Sequence, residues 1–155
     1  MSANGSRSVK LNILLDAPLF VSGGLVSGRV EVTSAVRGLG ITQVDLDVTG
    51  TEQCPSSFSS ISSSSFHSSP ASAASTNSID FLRLRVPLLP AARSAHVAIP
   101  KGTLGIPFAV RLPPDLPSSF RSRRASVAYR VAATATVDAQ HRPSASRDMT
   151  VVELL

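Results

Sequence analysis

The chain has 155 residues and a formal net charge of +5, with 43% hydrophobic residues, 5% aromatic residues and no tryptophan. This length suits one domain with a core of its own, and the apolar fraction excludes a wholly disordered chain. The single cysteine, Cys54, excludes an internal disulfide and a multi-cysteine zinc site, and it favours a reducing, intracellular compartment.

Apolar and polar residues alternate with a period of two, and no stretch keeps a helical spacing. One apolar and one polar face are typical of antiparallel sheets with a single solvated side, and glycine turns separate the segments. The sequence therefore predicts an all-β, immunoglobulin-like antiparallel β-sandwich. The predicted strands, in chain order, are 9–13, 26–32, 41–52, 81–86, 106–112, 125–137 and 149–154.

Two of these strands carry charged residues that alternation places on an outer face. Asp45 and Asp47 lie two residues apart, and a solvated strand face explains them better than acid–base chemistry or cation binding. On the next strand, Phe81, Arg83 and Arg85 are expected to share the outer face, opposite three aliphatic residues.

Serine dominates residues 53–79, between two predicted strands. Such a tract buries too little apolar area to offset its ordering entropy, so we expect a disordered insertion inside the domain. Residues 1–8 are expected to form a flexible terminus, and residues 9–155 the domain itself.

Prolines interrupt the chain after the strand that ends near Leu112. Pro113, Pro114 and Pro117 have a fixed φ and no backbone donor, so they predict an abrupt corner between two strands. Phe120 is expected to lie beneath this corner as a plug.

Catalytic and metal-binding patterns are absent from the sequence. His67, His96 and His141 fall in predicted loops or at strand ends, with no partner at metal-ligand spacing. No nucleophile elbow, phosphate loop or dinucleotide fingerprint occurs. We therefore expect no catalytic residue, no cofactor, no metal and no enzyme activity. The basic residues are nearly all arginine, which suits phosphate contacts but also follows from codon bias, and nucleic-acid motifs are lacking.

Two short patterns suit protein kinases. Arg123-Arg124-Ala125-Ser126 has the spacing that basic-directed kinases prefer, and Ser69-Pro70 suits proline-directed ones. Phosphorylation of Ser126 would put about two negative charges beside the arginines. Ser126 is expected to open a strand, so the serine-rich insertion is the better target of the two.

The order of the motifs carries a family resemblance. Five segments follow one another: 9–13, 26–32, 41–52, the K-G-x-x-x-x-P-F-x-V-x-L-P run at 101–113 with Leu-Pro-Ser-Ser-Phe behind it, and 127–131. Together they resemble the N-terminal domain of the arrestin superfamily, specifically of the alpha-arrestins. The likeness covers residues 9–155 apart from the serine insertion.

This resemblance implies a sandwich normally followed by a second one, and a non-enzymatic adaptor that links membrane cargo to ubiquitin ligases and endocytosis. It implies protein partners such as transporters or receptors, and a cytoplasmic location, peripherally at the plasma membrane or endosomes. The 155 residues contain neither the C-terminal arrestin domain nor the Pro-Pro-x-Tyr motif with which alpha-arrestins recruit ligases.

Partner contacts are expected at the strand edges, loops and an arginine-bearing face. In family members that read phosphorylated cargo, basic residues stand on the first strand, where this chain has only Lys10. The loop after the strand 41–52 projects toward the receptor in arrestins, and the resemblance implies that the serine insertion would occupy that place. The residues expected to take part are Lys10, Arg83, Arg85, Arg121, Arg123 and Arg124.

Two other functions stay open at this point. One is a different immunoglobulin-like binding module, such as a retromer-subunit-like scaffold, which strand topology would separate from an arrestin. The other is a hydrolase or lyase built on a β-sandwich, which would need a cleft lined by convergent polar groups.

Overall fold

The computed structural model describes residues 9–35, 40–55, 76–89, 97–98, 102–137 and 141–154. These ranges contain β-strands and no helix. Ten strands follow in chain order: β1 Val9–Leu15, β2 Leu19–Val21, β3 Leu25–Ser34, β4 Gly40–Pro55, β5 Thr76–Leu89, β6 Val97–Ala98, β7 Gly102–Arg111, β8 Phe120–Arg121, β9 Ser126–Val137 and β10 Ser144–Val152.

The strands form two sheets. The small sheet has the order β1-β3-β7, and the large sheet the order β2-β10-β9-β4-β5, with β6 added to β4 and β8 to β9. After β1 the chain crosses from the small sheet to the large one, where β2 pairs with β10 in parallel. Every other strand pair is antiparallel among the described residues. The predicted all-β sandwich is confirmed, with this one parallel pair as a departure.

An aliphatic core fills the space between the sheets. Strand β9 illustrates how the sequence forms this core. Its side chains alternate between the two faces, so Val127, Val131 and Ala133 are buried between the sheets, while the residues between them are more exposed. β3 repeats the pattern from the facing sheet with Val26 and Val30, both fully buried. The predicted alternation is therefore the direct cause of the two-layer packing.

An irregularity in the pairing of β4 with β5 overturns one prediction. Gly50 pairs with Leu82 and Thr51 with Asp80, so Phe81 is an extra residue on β5. Its ring packs edge-to-face against Tyr129, an inward residue, with centroids 5.7 Å apart. A Cβ on Gly50 would come within 2.9 Å of both rings, so only glycine fits there. Phe81 thus does not share an outer face with Arg83.

The pairing of β4 with β5 also shortens the tract predicted to be disordered. Gln53, Cys54 and Pro55 pair with Ser78, Asn77 and Thr76, so both flanks of the tract belong to a strand ladder. Backbone hydrogen bonds between strands form whatever the side chains are, so polar residues can also belong to a strand. A boundary drawn from composition alone therefore made the serine tract too long at both ends. Residues 56–75 lie outside the described residues, as do residues 1–8.

Candidate partner-binding surface

The end of the sandwich that holds residues 22–25, 111–126 and 152–154 is here called the corner end. Backbone hydrogen bonds join its segments: Ser22 N–H donates to the Val152 carbonyl at 2.9 Å, and Leu112 N–H donates to the Gly24 carbonyl at 2.8 Å. Because these bonds link the β2–β3 turn to the ends of β7 and β10, the corner end is a braced support for whatever side chains project from it.

The proline corner itself is closed by residues other than the one predicted. Phe120 is 49% exposed, so it is not a plug. Leu112 and Leu116 are buried instead, and Tyr129 Oη donates to the Pro117 carbonyl at 2.5 Å. Phe120 belongs to β8, where it pairs with Val127 at the margin of the large sheet, and this position turns its ring toward solvent.

A basic turn joins β8 to β9, and we call residues 121–125 the arginine turn. Ser122 organises it, since its Oγ accepts from Ala125 N–H at 3.0 Å and Arg124 N–H at 3.3 Å. The side chains of Arg121, Arg123 and Arg124 are all exposed. The structure therefore brings together three of the arginines that the sequence singled out, on a turn whose backbone is hydrogen-bonded.

The turn opens onto two concave areas. A shallow depression of about 220 Å³ is lined by the arginine turn together with Gln53, Cys54 and Ser126. Next to it, a larger groove of about 610 Å³ runs over the ends of β4, β9 and β10, with the half-exposed Phe120 at its side. Arg130 also lines this groove, but its guanidinium is paired with Asp148 at 3.0 Å.

The remaining predicted binding residues lie elsewhere. Arg83 is exposed on β5, opposite Thr49. Lys10 is exposed on β1 opposite Thr33, toward the end of the small sheet that lies away from Leu25 and Arg111. The six predicted residues therefore do not form one surface.

Arg85 is engaged within the molecule. Its Nη2 lies 3.2 Å from Asp45 Oδ2, and its Nε lies 4.0 Å from Asp47 Oδ1. Gln43 Nε2 adds a hydrogen bond to Asp45 at 2.6 Å. Asp45 is only 7% exposed, so the prediction of a solvated aspartate pair is wrong, because the side chains of Gln43 and Arg85 cover it.

The predicted phosphorylation sites differ in what the structure says of them. Ser126 is the first residue of β9, half-buried and paired with both Arg121 on β8 and Gln53 on β4. Ser69 lies outside the described residues. Both sites stay predictions.

Cys54 is a feature of the surface that the sequence did not single out for a role. It is exposed at the end of β4, beside the arginine turn. Partial desolvation raises the pKa of its thiol, and Glu52 adds to this through a hydrogen bond at 3.6 Å and its negative charge. Cys54 lies beside the arginine turn because β4 pairs with β9 in a register that places Gln53 opposite Ser126, and the sequence alone does not show this register.

The described ranges hold neither a metal-ligand cluster nor a membrane-spanning helix. In the described ranges, no three histidine, cysteine, aspartate or glutamate side chains come together as a metal site. His141 is exposed and forms a bridge with Val137, while His67 and His96 fall outside those ranges. No helix in the same ranges is long and apolar enough to cross a bilayer.

Comparison with known families decides the identity of the fold. The model of the arrestin (or S-antigen) N-terminal domain matches residues 11–155. The chain belongs to this arrestin family. Arrestin domains generally bind proteins, so membership supports a domain that works through protein partners. A search of curated proteins finds no match.

A solved structure shows the same fold. Spo0M, a sporulation control protein from Bacillus subtilis, aligns with a TM-score of 0.63 and 17% sequence identity. The alignment covers 95% of this arrestin-family chain and 50% of Spo0M. The chain thus spans about half the length of that protein, and at this identity the likeness concerns the fold alone.

Proposed function

We propose that this domain is a non-enzymatic adaptor of the alpha-arrestin type, which binds membrane-protein cargo such as transporters or receptors and connects it to ubiquitin-dependent sorting and endocytosis. The observation that carries the proposal is the arrestin N-terminal match over residues 11–155, together with a sandwich of the same fold. The proposed location is the cytoplasm, peripherally at the plasma membrane or endosomes.

The corner end is the surface that suits cargo best. The groove of about 610 Å³ combines an aromatic ring, Phe120, with cationic side chains at its margin and exposed strand residues along its floor. Exposed aromatic residues and arginines are the side chains that carry most binding energy in protein interfaces. We propose that an acidic, extended cytosolic segment of the cargo binds here, with its carboxylates at Arg121 and its apolar residue at Phe120.

The connection to ubiquitin machinery needs a further component. The 155 residues contain no Pro-Pro-x-Tyr motif, so the proposal places the ligase contact outside these residues. The arrestin family match also favours this adaptor over the retromer-subunit-like alternative.

Proximity labelling in cells tests the proposal. The tagged chain is expected to label integral membrane proteins and ubiquitin-conjugation components together. Exchange of Arg121, Arg123 and Arg124 for glutamine is expected to abolish that labelling. Loss of the protein is expected to raise the surface level of the membrane proteins that it labels.

A matched control variant has the same net charge as the first variant but carries no exchange at the corner end. Exchange of Arg83, Arg142 and Arg147 for glutamine removes three exposed arginines away from that end, and full labelling is expected. Labelling that lacks both membrane proteins and ubiquitin components, or that falls equally in the two variants, would contradict the proposal.

A further inference from the structure

Strand β5 is an edge strand of the large sheet. Among the described residues, it pairs with β4 on one side, and no strand pairs with its other side. Its inward side chains show the consequence. Val48 and Leu46 on β4 are fully buried, whereas Leu84 and Val86, which lie opposite them on β5, are only half-buried. Within the described part of the chain, the core is therefore incompletely covered along β5.

The small sheet leaves the same side of the sandwich open. Its edge strand there is β7, which lies beside β5. The inward residues Leu104 and Ile106 of β7 are also half-buried. The opposite side of the sandwich differs, because β1 packs against β9 and β10 of the facing sheet. We call the four half-buried side chains of Leu84, Val86, Leu104 and Ile106 the apolar seam.

The backbone groups that β5 leaves open follow from its pairing with β4. Pro87 lies opposite Asp45 and has no N–H, so these two residues cannot exchange a pair of backbone hydrogen bonds. Bonded and non-bonded pairs alternate along an antiparallel ladder. Arg85 and Arg83, two and four residues before Pro87, therefore also form non-bonded pairs with β4. Their N–H and C=O groups point away from β4, toward the open side of the sheet.

The pairing on the other side of β4 agrees with this assignment. Ala135 N–H donates to the Pro143 carbonyl at 3.0 Å, so Ala135 bonds on the side of β10. The preceding residue, Thr134, consequently bonds toward β4, where it lies opposite Asp45. The backbone groups of Asp45 thus face β9 and not β5.

The open stretch of β5 has a defined length and chemistry. Pro87 ends it on one side and the extra residue Phe81 on the other. Between them, Arg83 and Arg85 offer two donors and two acceptors to a further strand. Side chains of such a strand alternate between the faces, so the residue opposite Leu84 points into the apolar seam and the residue opposite Arg83 lies beside an exposed guanidinium.

A second copy of β5 is a poor occupant of this edge. In a two-fold antiparallel pair, the bonded residues are Arg83 and Arg85 of each copy, so arginine lies opposite arginine in every register that joins them. Like charges directly opposite each other destabilise a strand pair. The charge pattern instead suits an acidic residue opposite Arg83.

We propose that a partner protein adds a strand to β5 at residues 82–86, through an extended segment with aliphatic residues at alternate positions and an acidic residue between them. The aliphatic side chains fill the apolar seam, and the backbone bonds to Arg83 and Arg85. In this mode the main chain provides affinity and the alternate side chains provide specificity. The site is separate from the corner end, and the proposal does not rest on the proposed function.

Amide hydrogen exchange in the full chain tests whether the edge is open. The N–H groups of Arg83 and Arg85 are expected to exchange about a hundredfold faster than that of Leu84, which bonds to β4. Slow exchange at both arginines would overturn the proposal, since the chain itself would then cover the edge. Exchange that slows as the protein concentration rises would also overturn it, because a second copy would then be the occupant.

Three short peptides test the chemistry of the partner. The probe is acetyl-Ser-Val-Thr-Val-Glu-Val-Ser-amide, which in antiparallel pairing places Glu opposite Arg83 and its valines in the inward positions. It is expected to slow exchange at Arg83 and Arg85. Lysine in place of Glu is expected to weaken binding about fivefold, because like charges then face each other. Methylation of the Glu backbone nitrogen removes a hydrogen bond to Arg83 and is expected to weaken binding about tenfold.

Matched variants of the protein test the two arms separately. R83P removes an outward N–H without removing a bond to β4, and it is expected to lose binding of the probe. R83Q is expected to bind the Glu and Lys peptides equally, whereas R147Q, which has the same net charge, is expected to keep the preference for Glu. If R83P fails to fold, the N-methylated peptide tests the same bond on the unaltered protein.

Three results would overturn the proposal. The first is unchanged exchange at Arg83 and Arg85 with the probe at a concentration on the order of millimolar. The second is equal binding of the three peptides to the unaltered protein. The third is loss of the preference for Glu in R83Q and R147Q alike, since the net charge and not the β5 edge would then attract the peptide.

Discussion

Tyr129 and Pro117 are twelve residues apart, and a hydrogen bond of 2.5 Å from the phenol to the proline carbonyl joins them. The bond ties the irregular segment after β7 to the middle of the core, because Tyr129 is 1% exposed on the inner face of β9. Immunoglobulin-like sandwiches use tyrosine in the same way to fix a corner between strands. Tyr129 therefore adds a side-chain contact from the core to the backbone hydrogen bonds that brace the corner end.

Exchange of Tyr129 for phenylalanine is expected to destabilise the protein by about 1–3 kcal/mol, because the Pro117 carbonyl loses its donor while the ring still fills the core. Urea unfolding followed by circular dichroism measures the change. An equally stable variant would show that the hydrogen bond is not what fixes the corner. Exchange of Thr42 for valine is a control, since its hydroxyl also donates to a backbone carbonyl, that of Thr136, away from the corner end.

Ionisation of the same phenol predicts a loss of stability in alkali. Burial raises the pKa of Tyr129 from 10.0 to about 12. The folded state holds the proton more tightly, so the contribution to stability is complete below pH 10 and is lost as the pH rises through about 12. Tyr129 is the sole tyrosine, so tyrosinate absorbance reports it alone. Y129F is expected to lack this alkaline limb, and an absorbance midpoint near 10 would contradict the prediction.

Local sequence patterns predicted the sheets and the proline corner. The wrong predictions concern residues whose contacts come from segments distant in the sequence. Alternation along β9 specifies its buried face by itself. Phe81 was misplaced because an extra residue relative to β4 breaks the alternation, and nothing in the neighbouring residues of β5 encodes that pairing. Period-two patterns define faces only as far as the register stays regular.

The candidate surface was only partly predictable for the same reason. Arg121, Arg123 and Arg124 are neighbours in the sequence, so the sequence alone predicts that they lie close together. Arg85 was expected to face a partner, but its contact with Asp45 spans forty residues and depends on the β4–β5 register. Cys54 beside the arginine turn depends in turn on the β4–β9 register.

Ser119 holds the end of β10, and its removal is expected to loosen that end. Its Oγ accepts from Val151 N–H at 2.9 Å, while its own N–H donates to the Val151 carbonyl at 2.8 Å. Exchange for alanine leaves the buried Val151 N–H without its acceptor, at a cost of about 1 kcal/mol. Hydrogen exchange at Val151 is expected to quicken about fivefold, and the alanine variant of the exposed Ser146 serves as control. Unchanged exchange at Val151 would refute the role.

Arg85 and Arg83 form a matched pair for testing the contact with Asp45. Exchange of Arg85 for glutamine leaves the nearly buried Asp45 carboxylate with Gln43 as its remaining partner, and is expected to cost about 1 kcal/mol. Exchange of Arg83 is expected to cost less than about 0.5 kcal/mol, because it is exposed without a carboxylate within 4 Å in the described ranges. Denaturant unfolding of both variants measures this, and equal costs would show that the Asp45 contact contributes nothing.

Desolvation and the neighbouring Glu52 are both expected to lower the reactivity of Cys54. Because the pKa of the thiol is raised by partial desolvation and by the neighbouring carboxylate, alkylation at pH 8 is expected to be slower than for an unperturbed cysteine. Exchange of Glu52 for glutamine removes the negative charge, which lowers the pKa of the thiol and raises the thiolate fraction, so alkylation is expected to become faster. Alkylation rates against pH measure both effects, since Cys54 is the sole cysteine. D115N removes an exposed carboxylate of the same corner end and is expected to leave the rate unchanged; equal acceleration in both variants would show that net charge, and not the Glu52 contact, sets the reactivity.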